Sequence, residues 1–241
     1  MKNQYFADRR DLFKYDLLLD LVERRGSQRR LTFIPMLTAG DESGEGNVTR
    51  YGRDGRRPVV YEYLRDALSS GRRDIRLLRQ LMSQVDVEFM AYRDDRWFED
   101  KTRREYFARI PIEGLESSVV FFDPDIGLQT GSPGYMRRKG AEKYLMYSEL
   151  TDVWKRASHD SVVVVYQHLQ KDATKRAHDV DRRLAELNRH LEAQRSWAVQ
   201  SGDLAFLVLA RDPDVALRIR LALDEHVRRH RLVFREVTEG Q

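Results

Sequence analysis

Asp123 and Asp125 flank Pro124 at the end of an apolar run, Val119 to Phe122, and Gly127 follows. A proline disfavours helical geometry at the residue before it, so Asp123 is held extended at a strand end. Asp125 and Gly127 then shape the turn beyond it. Carboxylates placed this way can cap the turn, orient an acceptor group, or supply oxygen ligands to a divalent cation. A second apolar run, Ser161 to Val165, ends in Tyr166-Gln167-His168. With the two runs as neighbouring strands, the His168 imidazole comes beside Asp123. There it can be an acid–base partner, a metal ligand or a structural hydrogen-bonder.

Further polar residues crowd the same strand ends. Lys143 and Tyr144 open the helix expected after the Asp loop, and a lysine there can meet a phosphate or an acidic group. Tyr135 to Gly140 mixes an aromatic with Arg137, Arg138 and Lys139 in a glycine-flanked loop, a composition suited to phosphate contact with a base stacked nearby. The opening stretch 3–16 is dense in aromatics and charge. Docking of its helix would fix Asn3, Asp8 and Lys14 around the sheet edge. Residues 38–58 hold five glycines, and Thr38, Gly40 and Asp41 begin this loop. Glycines let a backbone approach a cofactor closely, although the pattern is not the G-x-G-x-x-G fingerprint.

The elements that must position these groups follow from periodicity. Leu12, Tyr15, Leu18, Leu19 and Val22 mark an amphipathic helix ending near Gly26, and Leu31 to Leu37 reads as a strand with Pro35 at a bulge or an early end. Residues 59–84 carry two helical patterns, and 59–114 reads as a possible helical insertion with a strand at Val85–Tyr92. Beyond Gly114, strands and helices alternate: strand to Asp123, a helix over 139–157, strand to His168, a long polar helix, a hairpin turning at Ser201-Gly202-Asp203, a helix capped by Asp212 before Pro213, and a last strand. Alternation of this kind predicts one α/β domain over 1–241. Its sheet is Rossmann-like, mainly parallel with an antiparallel C-terminal hairpin, and has helices on both faces. Such sheets bind ligands outside the carboxyl ends of their strands.

Composition narrows the setting. No cysteine is present, which removes disulfides, zinc–thiolate sites, iron–sulfur clusters and cysteine nucleophiles together. A cytoplasmic protein without a membrane span is expected, since no run nears the roughly 18–20 apolar residues a spanning helix needs. The formal net charge of +4 is too small to argue nucleic-acid binding, so local basic clusters must carry that argument.

The order "NQYFADRRDLFKYDLLLDL", a strand into "TAGDESGEG", then "VVFFDPD" resembles the large-subunit ribosomal-RNA adenine-N6 methyltransferases. The chain is also similar, from about Asn3 to His168, to a group of bacterial and phage proteins of no established activity that share Phe-Asp-Pro-Asp-x-Gly and Tyr-Gln-His. The first resemblance implies a methyltransferase-type sheet, S-adenosylmethionine as cofactor and an adenine-type acceptor in a nucleic acid. It matches Asn3, Asp8 and Lys14 to the opening helix, Ala39 and Gly40 to the cofactor loop, and Asp123 and Pro124 to the catalytic strand end. By their own positions in the sequence, Thr38 and Asp41 would line the cofactor with them, Asp125 and His168 would join Asp123 at the reacting group, and Arg137, Arg138, Lys143, Tyr166 and Gln167 would face the substrate. Two positions depart from the family's Asp-Pro-Pro-Tyr loop: Asp125 replaces the second proline and Ile126 the stacking aromatic. The added carboxylate favours an alternative, a nucleic-acid phosphodiesterase in which Asp123, Asp125 and His168 hold Mg2+ and activate water. A third reading is a non-enzymatic partner protein on a methyltransferase scaffold.

Overall fold

A computed structural model describes residues 1–40, 46, 48–191 and 195–237. Asp8 starts the first helix, α1 (Arg9–Arg25), by accepting from the backbone N–H groups of Arg10 and Asp11 at 2.8 and 3.0 Å. Such a cap satisfies donors that the first turn leaves unpaired. The expected amphipathic helix is in fact buried along nearly its whole length, Asp11 to Val22, and its charged residues are buried with it. Strand β1 (Arg30–Ile34) stops at Pro35, which has no N–H to extend the ladder.

Helices α2 (Pro58–Ser69) and α3 (Leu78–Gln84), strand β2 (Glu88–Ala91) and helix α4 (Arg103–Ala108) follow. Residues 59–114 thus contain a strand of the main sheet as well as helices. Strand β3 (Val119–Phe122) leads through the Asp loop to β4 (Gly127–Leu128), α5 (Pro133–Lys139), β5 (Tyr144–Leu145) and α6 (Tyr147–Arg156). The chain closes with β6 (Val162–His168), α7 (Ala173–Leu191), β7 (Arg195–Ser201), β8 (Leu204–Ala210), α8 (Pro213–His230) and β9 (Val233–Val237).

The sheet has seven strands in the order β2-β1-β3-β6-β8-β7-β9. The first four run parallel, β8 runs against both β6 and β7, and β9 runs against β7. This is the predicted Rossmann-like α/β class with antiparallel C-terminal strands. Strand alternation sends Phe33, Phe121, Val164 and Phe206 to one face, under α1, α2, α3 and α8. Ile34, Phe122, Val165 and Leu207 go to the other face, under α4, α6 and α7. Both faces are apolar because both are covered.

Two local expectations change. The 135–140 stretch is not a loop: Ser132 Oγ accepts from the Tyr135 N–H, Pro133 starts the turn, and α5 results. The helix expected over 139–157 begins only at Tyr147, because Tyr144 and Leu145 pair with Gly127 and Leu128 in a two-stranded ladder. Gln167 locks that ladder to β6. Its Oε1 accepts from the Leu128 N–H at 2.8 Å, and its Nε2 donates to the carbonyls of His168 at 2.5 Å and Ile126 at 3.4 Å. Gly127 has φ +131°, and a Cβ there would lie 2.4 Å from Gln167 Oε1. Gly127→Ala is therefore expected to lower the unfolding free energy by about 1–3 kcal/mol. Urea titration checks this, and a change within about 0.5 kcal/mol would mean that the turn is not held by this contact.

Candidate functional site

The carboxyl ends of β1, β3 and β6 lie side by side, and α1 crosses them. Lys14 on α1 reaches Asp123 Oδ2 at the tip of β3 at 2.8 Å and Asp11 Oδ1 on its own helix at 2.8 Å. All three side chains are buried. The Lys14 ammonium also faces the Tyr166 ring, 5.0 Å from its centroid, a favourable contact for a desolvated cation. Burial works against the charged lysine, but Asp11 and Asp123 outweigh it and raise its pKa. Burial pushes the Asp123 carboxyl upward, opposed by Lys14 and the Met1 amine. The 2.8 Å contacts on both sides of Lys14 argue for the charged pair.

The neighbouring carboxylate has cations of its own. The Met1 amine and Lys2 Nζ each lie 3.7 Å from Asp125, and Thr38 Oγ1 is 3.4 Å from its Oδ2. The Met1 amine donates to the carbonyls of Met36 and Asp123, both at 3.2 Å, and the Met1 carbonyl accepts from the Thr38 N–H at 2.8 Å. Met1 and Lys2 thus occupy the crevice between the β1 and β3 tips.

A small cavity of about 20 Å3, enough for one water, remains beside α1. Asp8, Lys14, Asp123, Pro124, Asp125, Tyr166 and His168 line it, so seven of the residues singled out in the sequence do converge. Tyr166 OH and His168 Nε2 are 3.1 Å apart. Burial, with the Asp11 carboxylate next, raises the Asp8 pKa to about 6.

The other sequence candidates take different roles. Asn3 Oδ1 accepts from the Ile75 N–H at 3.1 Å, tying the first turn to the segment before α3. Gly40 is exposed at the crevice mouth, beside Gln4. Asp41 lies outside the described residues. Lys143 contributes its carbonyl to the Ile126 N–H, and Gln167 is buried and bound to backbone, so both shape the Asp loop rather than face a substrate. Arg137 and Arg138 are exposed on α5 and do not line the cavity. Asp11 was not singled out, although its spacing of three residues from Lys14 is the usual mark of a helical ion pair.

With Met1 and Lys2 between Thr38 and Asp125, the cavity at these residues is about 20 Å3, and a nucleoside cofactor would enter only if those two residues left it. Three ammonium groups already sit on Asp123 and Asp125, so a magnesium ion there would have to expel them. One carboxylate oxygen, Asp125 Oδ1, lacks a hydrogen-bond partner among the described residues, and one oxygen is too few for a hard dication.

Beside the cavity runs a groove of about 1200 Å3 between α1, α5, the end of β6 and the β7–β8 turn. Arg9, Arg10, Arg56 and Lys171 line it with Tyr135 and His168, and so do Asp8, Asp54 and Asp203, the last paired with Arg10 at 3.2 Å. No helix among the described residues is long and apolar enough to cross a membrane. Comparison with protein-family models, curated proteins and solved structures finds no match to this chain.

Lys14→Met leaves two buried carboxylates sharing no cation and is expected to cost about 3–5 kcal/mol. Adding Asp11→Asn and Asp123→Asn should restore most of that loss, and a single-variant cost below about 1 kcal/mol would remove the triad as the joint between α1 and the sheet. Asp8 gives a pH signature. Its folded pKa, near 6, exceeds its ordinary value of 3.8, so the folded state keeps a proton that the unfolded chain has lost. That contribution is complete below pH 4 and declines as pH rises to 6, by up to about 1.4 kcal/mol per pH unit. Asp8→Asn keeps the cap and does not titrate, so melting curves from pH 4 to 7 should differ from wild type by this slope.

Proposed function

We propose that the protein binds single-stranded nucleic acid along the groove beside α1, on a methyltransferase-type scaffold whose cofactor crevice is filled by Met1 and Lys2. The groove carries this reading. A cationic trough with an aromatic wall follows a strand by phosphate contact and base stacking, without reading its sequence. Tyr135 is 40% exposed, enough of the ring to stack. Its helix, α5, also presents exposed Arg137, Arg138 and Lys139, which extend the positive rim. Arg9 meets Asp54 only at 3.8 Å, with both side chains largely exposed, so a phosphate can take it over at little cost. The overall charge of the chain does not give this away, because acidic residues, Asp54 and Asp203 of the groove among them, offset the local cations.

Fluorescence anisotropy with a labelled oligonucleotide across a salt series tests the proposal. Affinity should fall steeply with salt. The Arg9→Ala/Lys171→Ala double variant should bind more weakly, with a salt slope shallower by about 1.4, or 0.7 for each lost phosphate contact. Tyr135→Ala should lose about 1–3 kcal/mol of binding. Absence of binding at low salt, or variants that bind like wild type, would sink the proposal.

A second reading is methyl transfer to an adenine-type base, and one observation favours it. The resemblance draws on Lys14 in the opening helix and on Asp123, 109 residues later, and they meet at 2.8 Å. Methyl transfer depends on positioning more than on proton transfer, and Asp123 would orient the amine. This reading requires Met1 and Lys2 to leave the crevice. Calorimetry with S-adenosylmethionine decides it: micromolar binding supports it, and absence of heat at millimolar ligand removes it.

A further inference from the structure

A second buried cluster lies on the opposite side of α1, where α8 packs against it. His226 and His230 are four residues apart on α8 and so share a face. Asp16 of α1 faces them. One ligand atom from each of the three lies within 4.8 Å of the others, and all three side chains are at most 1% exposed.

The donors are already oriented. His226 Nδ1 sits 2.6 Å from Asp20 Oδ2. A hydrogen bond from Nδ1 to that carboxylate fixes the ring, as outer partners of metal-binding imidazoles do, and leaves the Nε2 lone pair facing Arg56 Nη1 at 3.0 Å, while Nδ1 lies 4.0 Å from Asp16 Oδ2. Asp16 Oδ1 accepts from the Arg57 N–H at 2.9 Å, which leaves Oδ2 for the cluster. Neither nitrogen of the buried His230 ring makes a hydrogen bond among the described residues, although Nε2 is 3.1 Å from Asp16 Oδ2. A buried imidazole left in this state is costly.

The cluster also holds a positive charge where an ion would sit. Arg56 Nη1 lies 3.2 Å from Asp16 Oδ2 and 3.0 Å from His226 Nε2. Arg56 and His230 both line the groove beside α1, so the guanidinium has a way out and an ion a way in.

We propose that Asp16, His226 and His230 bind one zinc-type transition-metal ion, in exchange with the Arg56 guanidinium. Two imidazoles and a carboxylate select zinc, nickel or cobalt over magnesium and calcium, which prefer all-oxygen shells. Three protein donors leave one position of a four-coordinate ion for a ligand from the groove. The site stands whether or not the groove takes nucleic acid.

Calorimetric titration of untagged, chelator-treated protein with zinc chloride tests this, with the visible spectrum of the cobalt-loaded protein as a second readout. One ion should bind per chain, and cobalt should give the strong bands of a four-coordinate site. Arg56→Met should tighten binding about tenfold or more by removing the competing cation. His230→Ala should weaken it by at least about 100-fold, and Asp20→Asn by about 10- to 100-fold through the outer hydrogen bond. Absence of binding by Arg56→Met, or binding that His230→Ala leaves unchanged, overturns the proposal. Should His230→Ala fail to fold, the Arg56→Met measurement decides alone, because a gain of affinity cannot come from damage.

Discussion

An ammonium ion taken out of water is tolerated only where carboxylates and ring faces replace its hydration, and Lys14 is held in this way. Asp11 lies one helical turn before it, Asp123 comes from the tip of β3, and the Tyr166 ring supplies a π face. Because Asp123 and Tyr166 come from two neighbouring strands, they hold α1 over the sheet, while Asp11 steadies the ammonium from the helix itself. Asp8, at the start of that helix, is thereby set at the rim of the cavity, and Arg9 and Arg10 along the groove. The arrangement carries two carboxylates against one ammonium. The surplus negative charge helps to explain why the Met1 amine is drawn onto the Asp123 carbonyl despite a burial that lowers its pKa.

The sheet was legible because its signals are local and strong. Runs such as Val119–Phe122 and Val162–Val165 can only be strands covered on both faces, and Pro35 marks a strand end by its missing N–H. The convergence of Asp123 and His168 followed from one assumption, that the two runs are neighbours, and β3 does pair with β6. Non-local partners were not legible. Tyr144 and Leu145 lie in a helical pattern, and only pairing with Gly127 and Leu128 pulls them straight. Gln167 looked like a substrate group because it ends a strand. It turns inward, where its Oε1 accepts from the Leu128 N–H. Docking of α1 placed Lys14 at the sheet edge, but Asp11, Asp16 and Asp20 were not singled out, and each finds a partner on another element or an adjacent turn.

The crevice between β1 and β3 separates scaffold from activity. Its walls come from the strand order, which a methyltransferase-type sheet would share, but its contents come from side chains. Thr38 and Asp125 bind the Met1 backbone and amine, and Lys2 lies over Asp125. Asp125 stands where the resemblance expects proline, and Ile126 where it expects an aromatic. A carboxylate at 125 creates a demand for cations that a proline would not, and Met1 and Lys2 meet it. Asp125 thus links the departure from that motif to the cations that fill the crevice.

Four buried charged residues of α1 form two groups, Asp11 with Lys14, and Asp16 with Asp20, and the second group starts five residues after the first. On a helix that spacing is about 7.5 Å along the axis and about 140° beyond one full turn, which carries the second group to a different side. The first group meets the strand tips, and the second meets Arg56, Arg57 and His226. Well-packed apolar residues would hold α1 at least as firmly as these pairs, so stability alone does not explain two ionic clusters in one buried helix. What the clusters share is the groove: Asp8 leads into it from the first, and Arg56 and His230 line it at the second. Residues at both clusters thus line one groove, while the sheet fixes the helix between them.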